Sequence, residues 1–576
     1  MSATNTTTPT PAYPELHFAA PGPGSWKNER SHCLGSITPV VQDLMSTAME
    51  NGMRTVFADL GVPADTLEAK FVNGFMYTRM RPLIGGDRAS TKLPPVPILK
   101  LVMRLHPEMR RRTKTAAASL AGHPWRAVIR DWSTTTRPAL RAENLALQVA
   151  DLGAMDDPTL LDHLDAVHAH NRRTWTQHFI LHGYDLGPIG MLVAAADQLG
   201  VPIAVTAAAL EGASPSSSAP SVALAELRRI AHSADPRPTT IEALRAVSGE
   251  ADRLVTDYLL ERGQLVVTRY DVDGLTLNEL PDLLMAAILR GNDHVRSDQT
   301  VARQALLDAV PAHERPKFDG LLDEARAAMD LRDDNGPNTV EWPLGLLRRA
   351  MLETGRRLQR VGRLLDPTHA FERMPADLRT MLTTGGGPSA VDVAEEASAR
   401  MRRSAVVPPL TLGPTEVEPP LAALPAPLAT LVATVNAVIV HLGMDGADRT
   451  ATPLTGSGVG REPYRGRACR ADTPEEAIDL LEAGDVLVVP FTTPAYNVVL
   501  PLAGAIVTVD GGPLSHAAVL ARELGIAAVV GAPGALAHIA HHDIVEVDPR
   551  TGTVRVLARA SVSERAIQHS PRSGEH

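Results

Sequence analysis

Seven prolines fall between positions 408 and 427, in the stretch VVPPLTLGPTEVEPPLAALPAPL, and they constrain the fold more than any other feature of the chain. Proline lacks a backbone N–H and its ring clashes with the preceding helical turn. Pro408, Pro409, Pro414, Pro419, Pro420, Pro425 and Pro427 therefore preclude a continuous helix and favour an extended, semi-rigid connector. The main domain boundary is expected here. Upstream, from about Ser36 to Met401, the pattern is mainly helical: TLLDHLDAVHAHNRRTW, SVALAELRRIAH and LGLLRRAMLETGRRLQRVGRLL repeat apolar residues at spacings of three and four. GASPSSSAPS, Gly212 to Ser221, reads as a flexible loop ending in a helix cap at Ser221, and RDDNGPN reads as a second break.

Beyond Thr452 the pattern changes to short strands alternating with short helices. DVLVVP, AGAIVTV and IAAVVG are strand-like, LSHAAVLAREL is helical, and DIVEVDPRTGTVRVL reads as a hairpin around a Pro-Arg-Thr-Gly turn. This predicts a compact α/β or β/β/α unit after a large, mainly α-helical one.

At 576 residues the chain has room for about three or four folding units. A net charge of −10 and an aromatic content of 3% argue against a nucleic-acid partner, which needs a basic face or a stacking platform. Cys33 and Cys469 are far apart and lack metal-ligand spacing, which fits a reducing cytoplasm without disulfides. MSATNTTTPTPAYPE is polar and reads as a loose tail, not a signal peptide. LATLVATVNAVIVHLG, Leu428 to Gly443, is shorter than the ~20 residues a membrane span needs and reads as a buried or docking helix, so no membrane association is expected.

The most informative stretch is VTVDGGPLSHAAVLARELGIAAVVG. Its helix is expected to begin near Leu514 or Ser515 and to end at Leu524, with Gly525 in the left-handed position that follows. His516 then lies in the first turn. There, unpaired N–H groups and the positive end of the helix dipole favour an anion, and Gly511 and Gly512 admit close backbone approach. Neutral imidazole is nucleophilic near pH 7, and its phosphoramidate keeps a high transfer potential, so His516 suits a phosphoryl carrier. A histidine that merely packs in the turn is the alternative.

GGPLSHAAVLARELGIAAVVG resembles the signature of the swivelling phosphohistidine domain of phosphoenolpyruvate-utilising enzymes, the group that includes phosphoenolpyruvate synthase, pyruvate phosphate dikinase and rifampicin phosphotransferase. GSGVGREPYRGRACR resembles the family's glycine-rich first strand. EAGDVLVVPFTTPAYNVVLPLAGAIVTVDGG, which includes Thr493-Pro494, resembles the run into the histidine loop, and HHDIVEVDPRTGTVRVL resembles the closing hairpin. The resemblance covers roughly Gly456 to Leu557. Upstream, SHCLGSITPVVQDLM, FVNGFMYTRMRPL, LTLNELPDLL and LLRRAMLETGRRLQRVGRLLDPTHAFERMPADL are similar to parts of the rifampicin phosphotransferase substrate domain. The resemblance implies that Arg332 and Asp333 handle the phosphoryl group and acceptor, although Gly336 stands near where the family carries a further basic residue. It also implies that Gly511, Gly512, Ser515 and Arg522 surround the phosphoryl group, and that Mg²⁺ is required, with no ligands assigned.

Neither the glycine-rich lid nor the phosphate-binding lysines of an ATP-grasp domain are recognisable in the chain. The histidine is therefore expected to be charged by a separate ATP-grasp subunit using ATP, or by phosphoenolpyruvate or another donor, unless carriage has been lost.

Among His163, His168, His170, His178 and His182, the last two are four residues apart and share a helix face. That is metal-ligand spacing, but no His-Glu-x-x-His arrangement accompanies it. A pocket role is the competing reading, in which His178 and His182 orient or deprotonate an acceptor hydroxyl. Arg348, Arg349, Arg356 and Arg357 are candidates for a phosphate-facing surface, Arg348 and Arg349 foremost, against the alternative of a solvated helix face.

The expected organisation is thus a tail over 1–25, a helical substrate-binding domain over 26–405, a proline-rich swivel linker and connecting helix over 406–450, a phosphohistidine domain over 451–560, and a disordered tail over 561–576. The expected function is transfer of a phosphoryl group from His516 to a hydroxyl of a small apolar molecule in the cytoplasm. Phosphorylation followed by phosphate elimination, a net dehydration, and a non-catalytic binding or regulatory protein are the alternatives.

Overall fold

The computed structural model describes residues 16–30, 33, 35–290, 299–443, 454–492, 496–497 and 499–560. Most of the expected tails, Thr493-Pro494 and the end of the expected linker lie outside these residues.

The helical part is organised around one 42-residue helix, Asp157–Gln198. Asp156 caps it by accepting from the Thr159 N–H at 2.9 Å, and Pro158 occupies the first turn, where no N–H is needed. Leu160, Leu161, Leu164, Val167 and Trp175 recur on its buried face. By length and composition this helix could cross a membrane, yet here it is a core helix, with polar His170, Asn171 and Asp185 buried along it.

Against it runs an unbroken helical rod: Arg315–Gly336, a π-helical turn at Pro337–Glu341, and Trp342–Arg360. The expected break at RDDNGPN is therefore absent. Pro337 cannot continue the α-helical ladder, and the chain widens by one residue into a π turn instead of stopping. Local side chains serve the carbonyls there: Asn338 Nδ2 donates to Asp334 O at 2.8 Å and Thr339 Oγ1 donates to Asn335 O at 2.6 Å.

GASPSSSAPS is not a loop either. Ser214 caps a helix over Pro215–Ser233, and Ser216 donates through both N–H and Oγ to Asp330 on the rod, at 2.9 and 2.7 Å.

The helical part also contains a four-stranded antiparallel sheet in the order β2-β3-β1-β4, where β1 is Trp26–Asn28, β2 Ala64–Val72, β3 Phe75–Pro82 and β4 Thr411–Leu412. β4 lies within the proline-rich stretch and pairs Leu412 with Trp26. That stretch is extended, as its prolines require, but it is fastened to the helical part. Glu416 accepts from Arg79 Nε at 3.0 Å and from the N–H groups of Ser25 and Ser90 at 3.1 and 2.9 Å.

The connecting helix Ala426–Leu442 docks on the same body. Leu428 and Leu431 join Met109 and Ala116 in a small core, and Val438 packs with Ile189, Leu192 and Val193. Gly190 is what allows the helices to meet: a Cβ there would come 2.4 Å from the carbonyl of Thr434.

The C-terminal part is an α/β unit on a seven-stranded mixed sheet. β5 is Ser457–Val459, β6 Tyr464–Arg470, β7 Val486–Val489, β8 Ala505–Thr508, β9 Ala527–Val530, β10 Ile544–Asp548 and β11 Thr553–Ala558, in the order β11-β10-β6-β7-β8-β9-β5. The strands β6 to β9 are mutually parallel and the flanking ones antiparallel. Both faces of the parallel strands are covered, so their residues read as continuous apolar runs. Val486, Val488 and Val507 face Ile539 and Val545, while Leu487, Val489 and Ile506 face Ala517, Ala518 and Ala521. Leu283 of the helical part enters this second core beside Leu500, which joins the two parts.

Candidate functional site

His516 opens the helix His516–Glu523, which connects β8 to β9 and so starts beyond the carboxyl end of the parallel strands, where such sheets place their ligands. Ser515 occupies the cap position with extended backbone, and Gly525 ends the helix at φ +64°. The imidazole is held by Thr492, whose Oγ1 lies 2.9 Å from Nδ1. This contact orients the ring through Nδ1, and in the tautomer with Nδ1–H donating to Thr492 it is Nε2 that is suited to carry a phosphoryl group. The hydroxyls of Ser515 and Thr508 are buried beside Gly511, and among the described residues neither has a hydrogen-bond partner. Gly511 itself has φ +126°, backbone that favours glycine.

Gly512 serves a different neighbour. A Cβ on it would meet the carbonyl oxygen of His441 at 2.3 Å, so this glycine lets the histidine loop sit against the end of the connecting helix. Arg522 turns inward: its Nη1 donates to the carbonyl of Pro513 at 2.7 Å, bracing the same loop, and burial lowers its pKa to about 10. It also lines the cavity described next.

A cavity of about 760 Å³ opens between the two parts, and His516 stands at its wall together with His178, His182, Arg332, Asp333 and Glu341. His178 is buried and its Nδ1 lies 3.2 Å from Thr339 Oγ1. Thr339 Oγ1 also lies 2.6 Å from Asn335 O and 2.9 Å from Asn335 Oδ1, so a hydroxyl that is itself engaged holds the ring of His178 at the cavity wall. His182 pairs through Nδ1 with buried Asp185 at 2.9 Å. The two rings stand 5.1 Å apart on one helix face.

Asp333 accepts from Ser217 Oγ at 2.7 Å, and burial raises its carboxyl above the usual range against the lowering influence of Ser217 and Arg332. Among the described residues Arg332 itself makes no hydrogen bond or ion pair, so its guanidinium is available to an anion.

Arg348 and Arg349 are not at the cavity, which corrects their expected role. Arg348 is buried, fork-paired to Glu279 at 2.9 and 2.8 Å, and bonded to Val272 O. Arg349 donates to the carbonyls of Gln148 and Ala150. Arg356 and Arg357 pair with Glu353, and Arg357 also with Asp157. Each cation is used to close the helical part. His170 bonds Asn144 at 2.6 Å, and burial pushes its pKa down to about 4.

Sequence reasoning missed Glu341. It lines the cavity, is 6% exposed, and burial lifts its carboxyl to about 8. A lone acid inside the apolar run TVEWPLGLL was the available signal.

No group of three or more His, Cys, Asp or Glu side chains converges as a metal site among the described residues. Of the carboxylates that line the cavity, Asp333 and Glu523 are engaged by Ser217 and by the Gly212 N–H. These residues do not form a magnesium cage, and no step is drawn through one.

Residues 481–552, which hold β7 to β10 and the His516 helix, match the family model described as the mobile domain of PEP-utilising enzymes. An uncharacterized protein of Mycobacterium tuberculosis is 33% identical over 252 residues, covering 42% of this chain and 25% of that protein. Chondramide synthase of Chondromyces crocatus is 26% identical over 581 residues, covering 92% of this chain and 14% of the synthase. Phosphoenolpyruvate synthase of Aeropyrum pernix is 41% identical over 109 residues, 19% of this chain and 13% of that enzyme. The chain thus spans a quarter or less of the length of these relatives.

Proposed function

We propose, from the match of residues 481–552 to the mobile domain of PEP-utilising enzymes, that His516 carries a phosphoryl group and delivers it to a hydroxyl of a small, mostly apolar molecule bound in the cavity. The observation that carries this reading is the position of His516 on the wall of a cavity whose other walls supply a histidine base and an available arginine.

In the transfer, the acceptor oxygen attacks phosphorus as the bond from phosphorus to Nε2 of His516 breaks, and the electron pair of that bond returns to the imidazole. The hydroxyl proton passes to the imidazole of His178, which lines the cavity beside Thr339. Arg332 neutralises charge on the transferring oxygens, and the first N–H groups of the helix His516–Glu523 add to that field. Apolar walls such as Leu265, Leu277 and Leu284 exclude water, which would otherwise compete as acceptor.

The donor is phosphoenolpyruvate, or ATP acting through an ATP-grasp partner. Charging by such a partner requires His516 to leave the cavity, which breaks the 2.8 Å bond from the Gly212 N–H to Glu523 and the 3.0 Å bond from the Leu514 N–H to His441 O.

Intact-mass measurement tests the proposal. The protein is incubated with phosphoenolpyruvate, with ATP alone, and with ATP plus a candidate ATP-grasp protein, beside His516→Ala. An acid-labile gain of one phosphoryl group, absent in the variant, is expected under one condition. Absence of label under all of them overturns carriage.

A further inference from the structure

We propose that Glu341 determines which acceptor the cavity takes, its carboxyl group donating a hydrogen bond to a carbonyl or hydroxyl oxygen on an otherwise apolar, uncharged molecule; this rests on reading the cavity as the acceptor site.

The backbone dictates where Glu341 points. From Arg332 to Gly336 is four residues, one α-helical turn, and from Gly336 to Glu341 is five, one turn of the π segment Pro337–Glu341. The three positions therefore form one stripe along the rod, and all three line the cavity. A Cβ at Gly336 would lie 3.6 Å from Glu341 Oε1, so the glutamate reaches back over the glycine. Without the extra residue of the π turn, Val340 would take that place; instead Val340 is fully buried in the main core.

The side chain is in an unusual state for a carboxyl. Its Oε1 is buried and, among the described residues, has no hydrogen-bond partner. A buried polar atom left this way is destabilising, and a ligand that supplies the partner relieves that cost. Leu265, Val267, Leu277 and Ala287 make the surrounding wall apolar, so they cannot supply it.

The chemistry of the partner follows from the charges nearby. Burial keeps the group protonated at neutral pH, with Arg262 as its opposing influence, so what it offers is a donor O–H. A ligand ammonium would have to approach a site that already contains Arg262, and would form a buried ion pair whose desolvation is costly. A ligand carboxylate beside Glu341 would be drawn by Arg262 but would lose its hydration against the apolar wall of Leu265, Val267 and Leu277. A neutral oxygen meets neither penalty. Along the rod, Glu341 lies nine residues from Arg332, about 13 Å at helical rise, so this oxygen is distinct from the one phosphorylated near Arg332 and His516.

Probes sharing one rigid apolar body test the assignment: 1-adamantanecarboxamide, the 1-adamantylammonium ion and 1-adamantanecarboxylate. Binding to the full chain is measured by ligand-observed NMR at about pH 6 and about pH 10, with Glu341→Gln and Glu341→Leu alongside. At the lower pH the carboxamide is expected to bind about fivefold more tightly than either ion. That preference disappears at the higher pH in the native protein and persists in Glu341→Gln, whose amide still donates. It is absent at both pH values in Glu341→Leu.

His178, His182, Glu211, Tyr258, Arg262, Tyr270, Arg332, Asp333, His516, Arg522 and Glu523 are the other ionisable or charged groups lining the cavity. Any pH dependence that survives in Glu341→Gln belongs to them. Tightest binding of the ammonium, an unchanged preference in Glu341→Leu, or no binding of any probe overturns the proposal. Labelling of His516 is scored separately, so failure of the carrier reading and failure of this one are distinguishable. Circular dichroism verifies that each variant is folded.

Discussion

The backbone N–H of Leu514 donates to the carbonyl of His441 across 3.0 Å, so the loop that presents His516 leans on the end of the helix leading into its own domain. Gly512 makes the approach possible, since a Cβ there would fall 2.3 Å from the same carbonyl oxygen. The obstruction in Gly512→Ala is backbone and cannot rotate away. The variant is expected to open this contact at a cost of ~1–3 kcal/mol, raising hydrogen exchange at the Leu514 amide at least about fivefold. Unchanged exchange would mean that the loop does not rest on the helix in solution.

Glu523 ties the mobile domain to the Gly212 N–H, and burial together with Asp333 raises its carboxyl above the usual range. A raised carboxyl holds its proton more tightly in the closed arrangement than when separated and solvated. Closure is therefore strongest below the ordinary carboxylate range and weakens as pH rises through the raised value. X-ray scattering is expected to give a smaller radius of gyration at about pH 5 than at about pH 8, and Glu523→Gln should flatten that difference. A radius independent of pH in the native protein would refute the linkage.

Arg332 has an available guanidinium on the cavity wall, and its contribution is expected in delivery, not in charging. Arg332→Met should leave phosphorylation of His516 within about twofold while slowing loss of the label to an acceptor by roughly 10²–10³. Single-turnover chase of the labelled protein separates the two steps. Equal loss in both would assign Arg332 to stability or to the donor site instead.

Glu341 carries its proton up to about 8, whereas an unfolded glutamate ionises near 4.5. Between those values the unfolded chain has released a proton that the folded one keeps. Folding stability at this site is therefore complete below the lower value and declines as pH rises toward the upper one. Glu341→Gln removes that cost and is expected to stabilise the protein at pH 7 by on the order of 1–3 kcal/mol, with the gain vanishing near pH 4. Chemical denaturation at the two pH values measures it, and equal stability at both would show that the carboxyl is ionised in the fold.

Sequence reasoning worked where the cause of structure was local. The His516 helix was legible to within a residue or two because its cap, apolar face and terminating Gly525 are contiguous. The segment Gly212–Ser221 was not, because what folds it is Asp330, more than a hundred positions away, accepting from Ser216. RDDNGPN fails as a break for a related reason: Asn335 donates to the carbonyl of His178 on another helix, at 3.0 Å, and holds the rod in place through Pro337. The first sheet did carry a local signal that the helical reading overlooked. Asn73 and Gly74, with φ of 55° and 84°, form the turn between β2 and β3, and an Asn-Gly pair between alternating residues is a hairpin signature. Arg348 and Arg349 match a phosphate-binding pattern equally well by composition. Only the positions of Glu279 and of the carbonyls of Gln148 and Ala150 reveal that they are already occupied.

The anchoring of the proline-rich stretch by Glu416, and of the connecting helix by Leu428 and Val438, sets a leash on the carrier. If that helix stays with the acceptor body, the excursion of His516 is set by the chain from Gly443 to Leu454 together with the span of the folded domain that bears it. Eleven peptide steps reach at most roughly 40 Å. A donor at a distance from the acceptor cavity would have to present its phosphoryl group within the sum of that length and the domain's own span.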